Sequence, residues 1–131
     1  MKQQPFLHKV YKEGLDLLMS ARQYFSRHGK SYLKTLEKNA RFDVVNASCQ
    51  LTNYLTHIMA WMLLQKSVVE GAEKTDTMQD EMDRLVEEVP PLKNSIKMAE
   101  SLPNQLKLLL TQSKELYERV GRLNEMLRAE P

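Results

Sequence analysis

The run at residues 101–128, SLPNQLKLLLTQSKELYERVGRLNEMLR, sets apolar or small side chains at Leu102, Leu106, Leu109, Ser113, Leu116, Val120, Leu123 and Leu127. The steps alternate between four and three without a break, the 3.5-residue repeat of a helix that packs left-handedly against neighbouring helices. Pro103 lies near the first turn, where a missing N–H costs least. Working back from this run, residues 32–70 contain no proline or glycine. There Leu36, Ala40, Val44, Ala47, Leu51, Tyr54, Ile58, Trp61 and Val68 keep helical spacing, which predicts one long helix closed by Gly71. A second row with Val45, Cys49, Leu55, Met59, Met62 and Leu63 makes its C-terminal half apolar nearly all round. Such a helix must bury more than one face, so a homodimer is expected, with Leu51, Tyr54, Leu55, Ile58, Met59, Trp61 and Met62 as dimer or core positions.

Toward the N-terminus, Leu7, Tyr11, Gly14, Leu18, Ala21 and Phe25 form one stripe of a helix that starts just after Pro5. A glycine inside a helix costs about 1 kcal/mol against alanine. Gly14 therefore predicts close approach of another helix backbone. His28-Gly29-Lys30-Ser31 supplies the chemistry of a helix-helix connection. Between the second and last helices, residues 72–101 are acidic and variable in character. Thr75-Asp76 could cap a short amphipathic helix with Met78, Met82, Leu85 and Val89, which Pro90-Pro91 would end before a brief segment, Leu92 to Glu100. Nothing alternates as a strand would. The expected fold is a single all-α domain over residues 1–131. It is an antiparallel three-helix bundle with helices over 6–27, 32–70 and 103–128 and an irregular or partly helical excursion between the last two.

Composition narrows the function classes. A chain of 131 residues supports one core. One cysteine, Cys49, cannot form an intrachain disulfide, and adding His8, His28 and His57 does not make a zinc ribbon, so no metal or other cofactor is expected. No run reaches the ~18 apolar residues of a membrane span, and a cytoplasmic protein is expected. The net charge of +2 hides a division: residues 1–71 carry ten Lys/Arg and five Asp/Glu, whereas residues 72–101 carry four and eight. Arg22, Arg27, Lys30, Lys34, Lys38 and Arg41 face only Glu37. That basic stretch raises nucleic-acid association as the alternative function, but it lacks aromatic platforms and a base-reading cluster, and a solvated corner accounts for it more simply.

Catalytic chemistry finds few candidates. His57 has Tyr54 three residues before it in place of the Glu of a di-iron ligand pair, so a satisfied, half-buried histidine is expected, and Cys49 reads as a buried inert thiol. The four glycines are isolated, which excludes a phosphate loop, and the acidic run lacks the order of a calcium loop. The eight methionines read mainly as core filler. The residues describe a helical interaction protein, not an enzyme.

Particular residue orders go further. Val10-Tyr11-Lys12-Glu13-Gly14-Leu15, Leu51-Thr52-Asn53-Tyr54-Leu55-Thr56, Ala60-Trp61-Met62-Leu63-Leu64-Gln65-Lys66-Ser67-Val68 with Glu70-Gly71, and Leu102-Pro103, Leu106, Ser113, Leu116-Tyr117-Glu118-Arg119-Val120 and Leu123 together resemble the regulator of CtrA degradation (RcdA) family of alphaproteobacteria. The resemblance implies a dimeric three-helix protein without enzymatic activity that serves as an adaptor for the ClpXP protease in cell-cycle-regulated proteolysis. Such a protein engages protease primed by a CpdR-type response regulator and holds a PopA-type adaptor or a CtrA-like cargo. Tethering of this kind works by raising local concentration. Within the matching tracts, the polar residues Lys12, Glu13, Lys66, Glu70, Glu118 and Arg119 are the expected partner-binding positions, because core packing does not call for them.

Overall fold

The computed structural model describes residues 4–27, 34, 36–87 and 102–128. These residues are almost entirely helical: α1 spans Gln4–Arg27, α2 Lys38–Val69, α3 Asp76–Glu87 and α4 Asn104–Arg128. The expected connection at residues 28–31 and the expected stop at Val89 and Pro90-Pro91, with the segment from Leu92 to Glu100, lie outside the described residues.

The 3.5-residue repeat of α4 is buried from Leu102 through Leu123, with Leu127 half-buried against the core. A second row, Leu110, Tyr117 and Asn124, is buried beside it because α3 covers that face. In α2 the row Val44, Ala47, Leu51, Tyr54, Ile58 and Trp61 is buried. The additional apolar positions divide. Leu55 and Met62 fall on the same arc as Leu51 and Ile58 and are buried, whereas Val45, Cys49 and Leu63 lie about 100° further round the helix and are exposed. Cys49 is therefore an exposed thiol, contrary to the buried one expected. Leu51, Tyr54, Leu55, Ile58, Trp61 and Met62 are buried within the single chain, and Met59 is half-buried beside Gly14. The chain's own helices thus cover most of the apolar surface for which a second subunit was expected.

The second helix starts at Lys38, not at residue 32. Glu37 has an extended backbone (φ −59°, ψ 152°) and gives no side-chain cap. This break turns Leu36 onto the core, with its carbonyl accepting a hydrogen bond from the Arg41 guanidinium at 3.4 Å. At the other end Gly71 takes φ +110°, a conformation that side chains disfavour. That turn lets Gly71 N–H reach the Val68 carbonyl at 3.1 Å and Ala72 N–H reach that of Ser67 at 3.0 Å, so these two carbonyls in the last turn of α2 are satisfied.

On α1 the buried positions are Leu7, Val10, Gly14, Ala21 and Tyr24, with Leu17 half-buried; Leu18 is 43% exposed. The expected stripe shared Leu7, Gly14 and Ala21 with the observed one, and of its other members Tyr11 and Phe25 are half-buried against the core while Leu18 turns outward. Gly14 meets side chains, not a helix backbone: a Cβ there would stand 3.3 Å from Met59 Sδ, 3.6 Å from Ile58 Cγ2 and 3.9 Å from Leu116 Cδ2. It sits where α1 presses into the groove between α2 and α4.

The excursion after α2 is a structural helix. Thr75 Oγ1 accepts the Met78 backbone N–H at 3.1 Å, as its capping role predicts, and Met82 and Leu85 are buried. Among the described residues the bundle therefore has a short helix beside α1, α2 and α4, and the direction of α4 differs from expectation. Tyr54 stacks near Tyr117, with ring centroids 5.2 Å apart, and Trp61 hydrogen-bonds Asn124, so α2 and α4 advance in register and run parallel. Contacts of Glu13 with Arg119 and of Leu7 and Tyr11 alongside Met62 and Val69 make α1 antiparallel to both. Pairing of Leu85 with Tyr117 and of Asp83 with Arg128 does the same for α3. Because α3 turns the chain back once more, the path is up-down-up-down, whereas three helices alone would have made α2 and α4 antiparallel.

Candidate partner-binding surface

Two grooves flank α1. The first, about 350 Å³, lies between α1 and α2 and is lined by Leu7, His8, Tyr11, Met62, Gln65, Lys66, Val69 and Glu70. Its walls follow from the helical register: Leu7 and Tyr11 are one turn apart on α1, and Met62, Lys66 and Val69 are spaced likewise on α2. Lys66 Nζ stands 5.4 Å from the centre of the Tyr11 ring and 3.9 Å from Glu70 Oε1. With side-chain exposures of 52% and 66%, the Lys66–Glu70 pair contributes little. Gln65 is 5% exposed, and its side-chain oxygen has no hydrogen-bond partner.

A second groove, about 390 Å³, lies between α1 and α4 and is lined by Glu13, Asp16, Leu17, Ser20, Gln112, Glu115 and Arg119. It is acidic apart from Arg119, whose guanidinium is engaged by the Glu13 carboxylate through both of its terminal nitrogens. Of the six expected partner-binding residues, four thus form two pairs, Glu13 with Arg119 and Lys66 with Glu70. The Glu13–Arg119 pair ties α1 to α4, so packing does account for those two. Lys12 and Glu118 are exposed.

On the far side of the α2–α4 pair lies a polar cluster that the sequence reading missed. Trp61 Nε1–H donates to Asn124 Oδ1 at 3.0 Å, and Asn124 Nδ2 donates to Asp83 Oδ1 at 2.8 Å. Gln79 Nε2 donates to the same Asp83 oxygen at 2.8 Å, and Arg128 approaches Asp83 Oδ2 at 3.3 Å. Burial pushes the Asp83 carboxyl up, but the hydrogen bonds from Asn124 and Gln79 and the charges of Arg128 and Lys74 outweigh it and hold the group below the ordinary aspartate value. Near the end of α3, the Leu85 carbonyl accepts both Tyr117 Oη–H and the His57 Nδ1 position, each at 2.9 Å. His57 is thus half-buried and satisfied, as expected. Its role is to fasten α3. The signal for the cluster was weak: Gln79, Asp83 and Asn124 are polar residues of kinds normally found outside, and only their places on the apolar stripes could have marked them.

Among the described residues no three His, Cys, Asp or Glu side chains gather to hold a metal ion. No helix among them is long and apolar enough to cross a membrane. A family model described as protein of unknown function DUF1465 matches residues 1–131. The chain belongs to that family. No curated protein and no solved structure matches it significantly.

Proposed function

We propose that this chain is a non-enzymatic cytoplasmic adaptor that delivers substrates, or a further PopA-type adaptor, to ClpXP protease primed by a CpdR-type response regulator in cell-cycle-regulated proteolysis. The observation that carries the reading is where the RcdA-like tracts meet the surface. Their polar members Lys66 and Glu70 rim one groove beside α1, and Glu13 and Arg119 line the other. A rigid helical body with two separate recesses suits a tether that must hold two partners at once. The reading includes pairing of two copies, for which exposed Phe42, Val45 and Leu63 along the outer side of α2 provide apolar surface. Sedimentation at tens of micromolar tests that part.

The direct test is reconstituted degradation with protease, primed response regulator and a CtrA-like cargo. Omitting the chain should slow cargo loss, and Lys66→Glu should slow it while leaving thermal unfolding unchanged. Arg119→Glu alone would place two carboxylates together, so the paired exchange Glu13→Arg with Arg119→Glu separates loss of the ion pair from loss of a partner contact. If the rate never depends on this chain, the adaptor reading fails.

The exposure of Arg22, Arg27, Lys34, Lys38 and Arg41 supports a second reading, a basic helical protein associating with nucleic acid. Binding of labelled DNA that weakens with salt by a slope of several phosphates would favour it, and no binding at low salt would dismiss it.

A further inference from the structure

Along the outer side of α2, Phe42, Val45, Cys49, Thr52, Thr56 and Leu63 are all exposed, and Met59, between the last two, is half-buried. The steps from Phe42 to Leu63 through Met59 are three, four, three, four, three and four. This is a second 3.5-residue repeat on α2, on the opposite face from the buried Ala47, Leu51 and Ile58. Among the described residues no helix covers it. Helix α1 lies along one edge, where Met59 packs beside Gly14, and α3 meets α2 at His57 on the other. An unbroken row at this spacing is the pattern by which one helix seats another.

The ends of the row show which helix that is. Lys38 lies four residues before Phe42, and Lys66 and Glu70 extend the same steps beyond Leu63; all three are exposed. Laid antiparallel against a copy of itself about a two-fold axis level with Tyr54, the row is self-complementary. Val45 meets Leu63, Cys49 meets Met59 and Thr52 meets Thr56, each contact occurring twice. Phe42 lies against the aliphatic stem of Lys66, and Lys38 reaches Glu70. Sliding one copy by a heptad sets Lys38 opposite Leu63 in one direction and Val45 opposite Glu70 in the other. A parallel pair in register would set Lys38 against Lys38 and Glu70 against Glu70, which repel.

We infer that two copies of this chain pair through the outer row of α2, antiparallel and in the register whose two-fold axis is level with Tyr54. The inference deepens the pairing of copies within the proposed function and rests on that part of it alone, giving it a surface and a register. From Phe42 to Lys66 the seam is about 36 Å long, and at one helix diameter of about 10–12 Å it covers about 400 Å² on each copy. Leu18, 43% exposed and one turn beyond Gly14 on α1, widens it. A total near 800 Å² is at the small end of specific interfaces, so the dimer should dissociate in the micromolar range.

The test is disulfide trapping in the full chain, read on non-reducing gels after mild oxidation at tens of micromolar. Cysteines whose Cα atoms are more than about 7 Å apart cannot be bridged. In this register Cys49 lies about 15 Å along the axis from Cys49 of the other copy, and position 59 is as far from its own counterpart. The unaltered chain and Met59→Cys with Cys49→Ser should therefore stay uncrosslinked, whereas Met59→Cys with Cys49 retained should form covalent dimers. Val45→Cys with Leu63→Cys in a Cys49→Ser background should do the same, and each of those changes alone should not. Within one chain the two pairs are about 15 and 27 Å apart, so the bridges can form only between chains. In sedimentation equilibrium Leu63→Glu should raise the dissociation constant at least about tenfold without changing the Tm of dilute protein. Lys38→Glu should raise it about threefold, and adding Glu70→Lys should restore it. The inference is overturned if the unaltered chain is monomeric at about 100 µM, if neither pair cross-links, if single-cysteine chains cross-link as readily as the pairs, or if Leu63→Glu leaves the dimer intact. The first result removes pairing altogether, and the other three keep pairing but move it off this row. Trapped dimers together with cargo degradation that never depends on this chain would remove the adaptor reading and leave the seam.

Discussion

Replacing Asn124 by alanine should be the most costly polar substitution in this molecule. Asn124 is 2% exposed and uses both ends of its carboxamide, accepting from Trp61 Nε1–H and donating to Asp83 Oδ1. Alanine would leave the indole N–H of a fully buried tryptophan without a partner, a loss of about 1–3 kcal/mol. It would also remove one hydrogen bond to a carboxylate, worth about 1.5–3 kcal/mol where no water replaces it. Asp83 keeps Gln79 and Arg128 and retains some solvent access, so the second loss is partly repaired, and about 3 kcal/mol in total is expected. With an unfolding entropy of about 2.1 cal/mol/K per residue, a chain of this length loses about 3–4 °C per kcal/mol, which gives a fall in Tm of about 11 °C. Differential scanning calorimetry measures this directly. The companion Trp61→Phe removes the orphaned donor, so the double variant should be less unstable than the sum of the two single ones by about 1 kcal/mol. A fall below about 3 °C for Asn124→Ala, or strict additivity in the cycle, would refute the claim that this network fastens α3 and α4 to α2.

Asp83 should give stability a defined dependence on pH. Its folded-state pKa is depressed, so the group contributes stability that is fully present above the ordinary aspartate value and is lost as pH falls through the lower folded value. Asp83→Asn should accordingly flatten that acid limb in urea midpoints measured from pH 6 down to about 3. Gly71→Ala should cost about 1–2 kcal/mol, since φ +110° strains any side chain although the space around it is open, and a shift in Tm of less than about 2 °C would contradict the turn described. Gly14→Ala should raise Tm by up to about 3 °C, because alanine favours helix by about 1 kcal/mol and the tightest neighbour is the movable Met59 sulfur, whereas Gly14→Val should lower it by overfilling the groove.

The helical class and the inward face of α4 could be read from the sequence because an unbroken 3.5-residue repeat admits one answer. The stripe on α1 could be read only in part, because Leu7, Gly14 and Ala21 belong equally to the row with Val10, Leu17 and Tyr24 and to the row with Tyr11, Leu18 and Phe25, of which the first is the more deeply buried. Periodicity names a line on a helix, and the choice between its two sides is made by what packs there. The same limit explains Cys49 and Val45, apolar residues on a turn that no neighbouring helix covers. The break at Glu37 interrupts a run with neither proline nor glycine, and no residue type there announces it. At the candidate surface, Lys66 and Glu70 were legible as exposed members of a family-like tract, whereas Gln65 was not. A glutamine beside Lys66 reads as surface, and only the approach of α1 buries it. The Trp61–Asn124 bond spans 63 positions and depends on the parallel course of α2 and α4, which no local pattern encodes.

That parallel course sets a minimum on how far the chain can be shortened. With partners offset by 63 positions, the start of α4 lies alongside residue 41 near the beginning of α2, so a chain leaving α2 at Val69 must travel back about 40 Å before it can enter α4. Fully stretched polypeptide needs about 12 residues for that journey. Excising the region between α2 and α4 and splicing in a four-residue turn would therefore compel α4 to run the other way, and the indole of Trp61 and the carboxamide of Asn124 would be left about 18 Å apart along the helix axes.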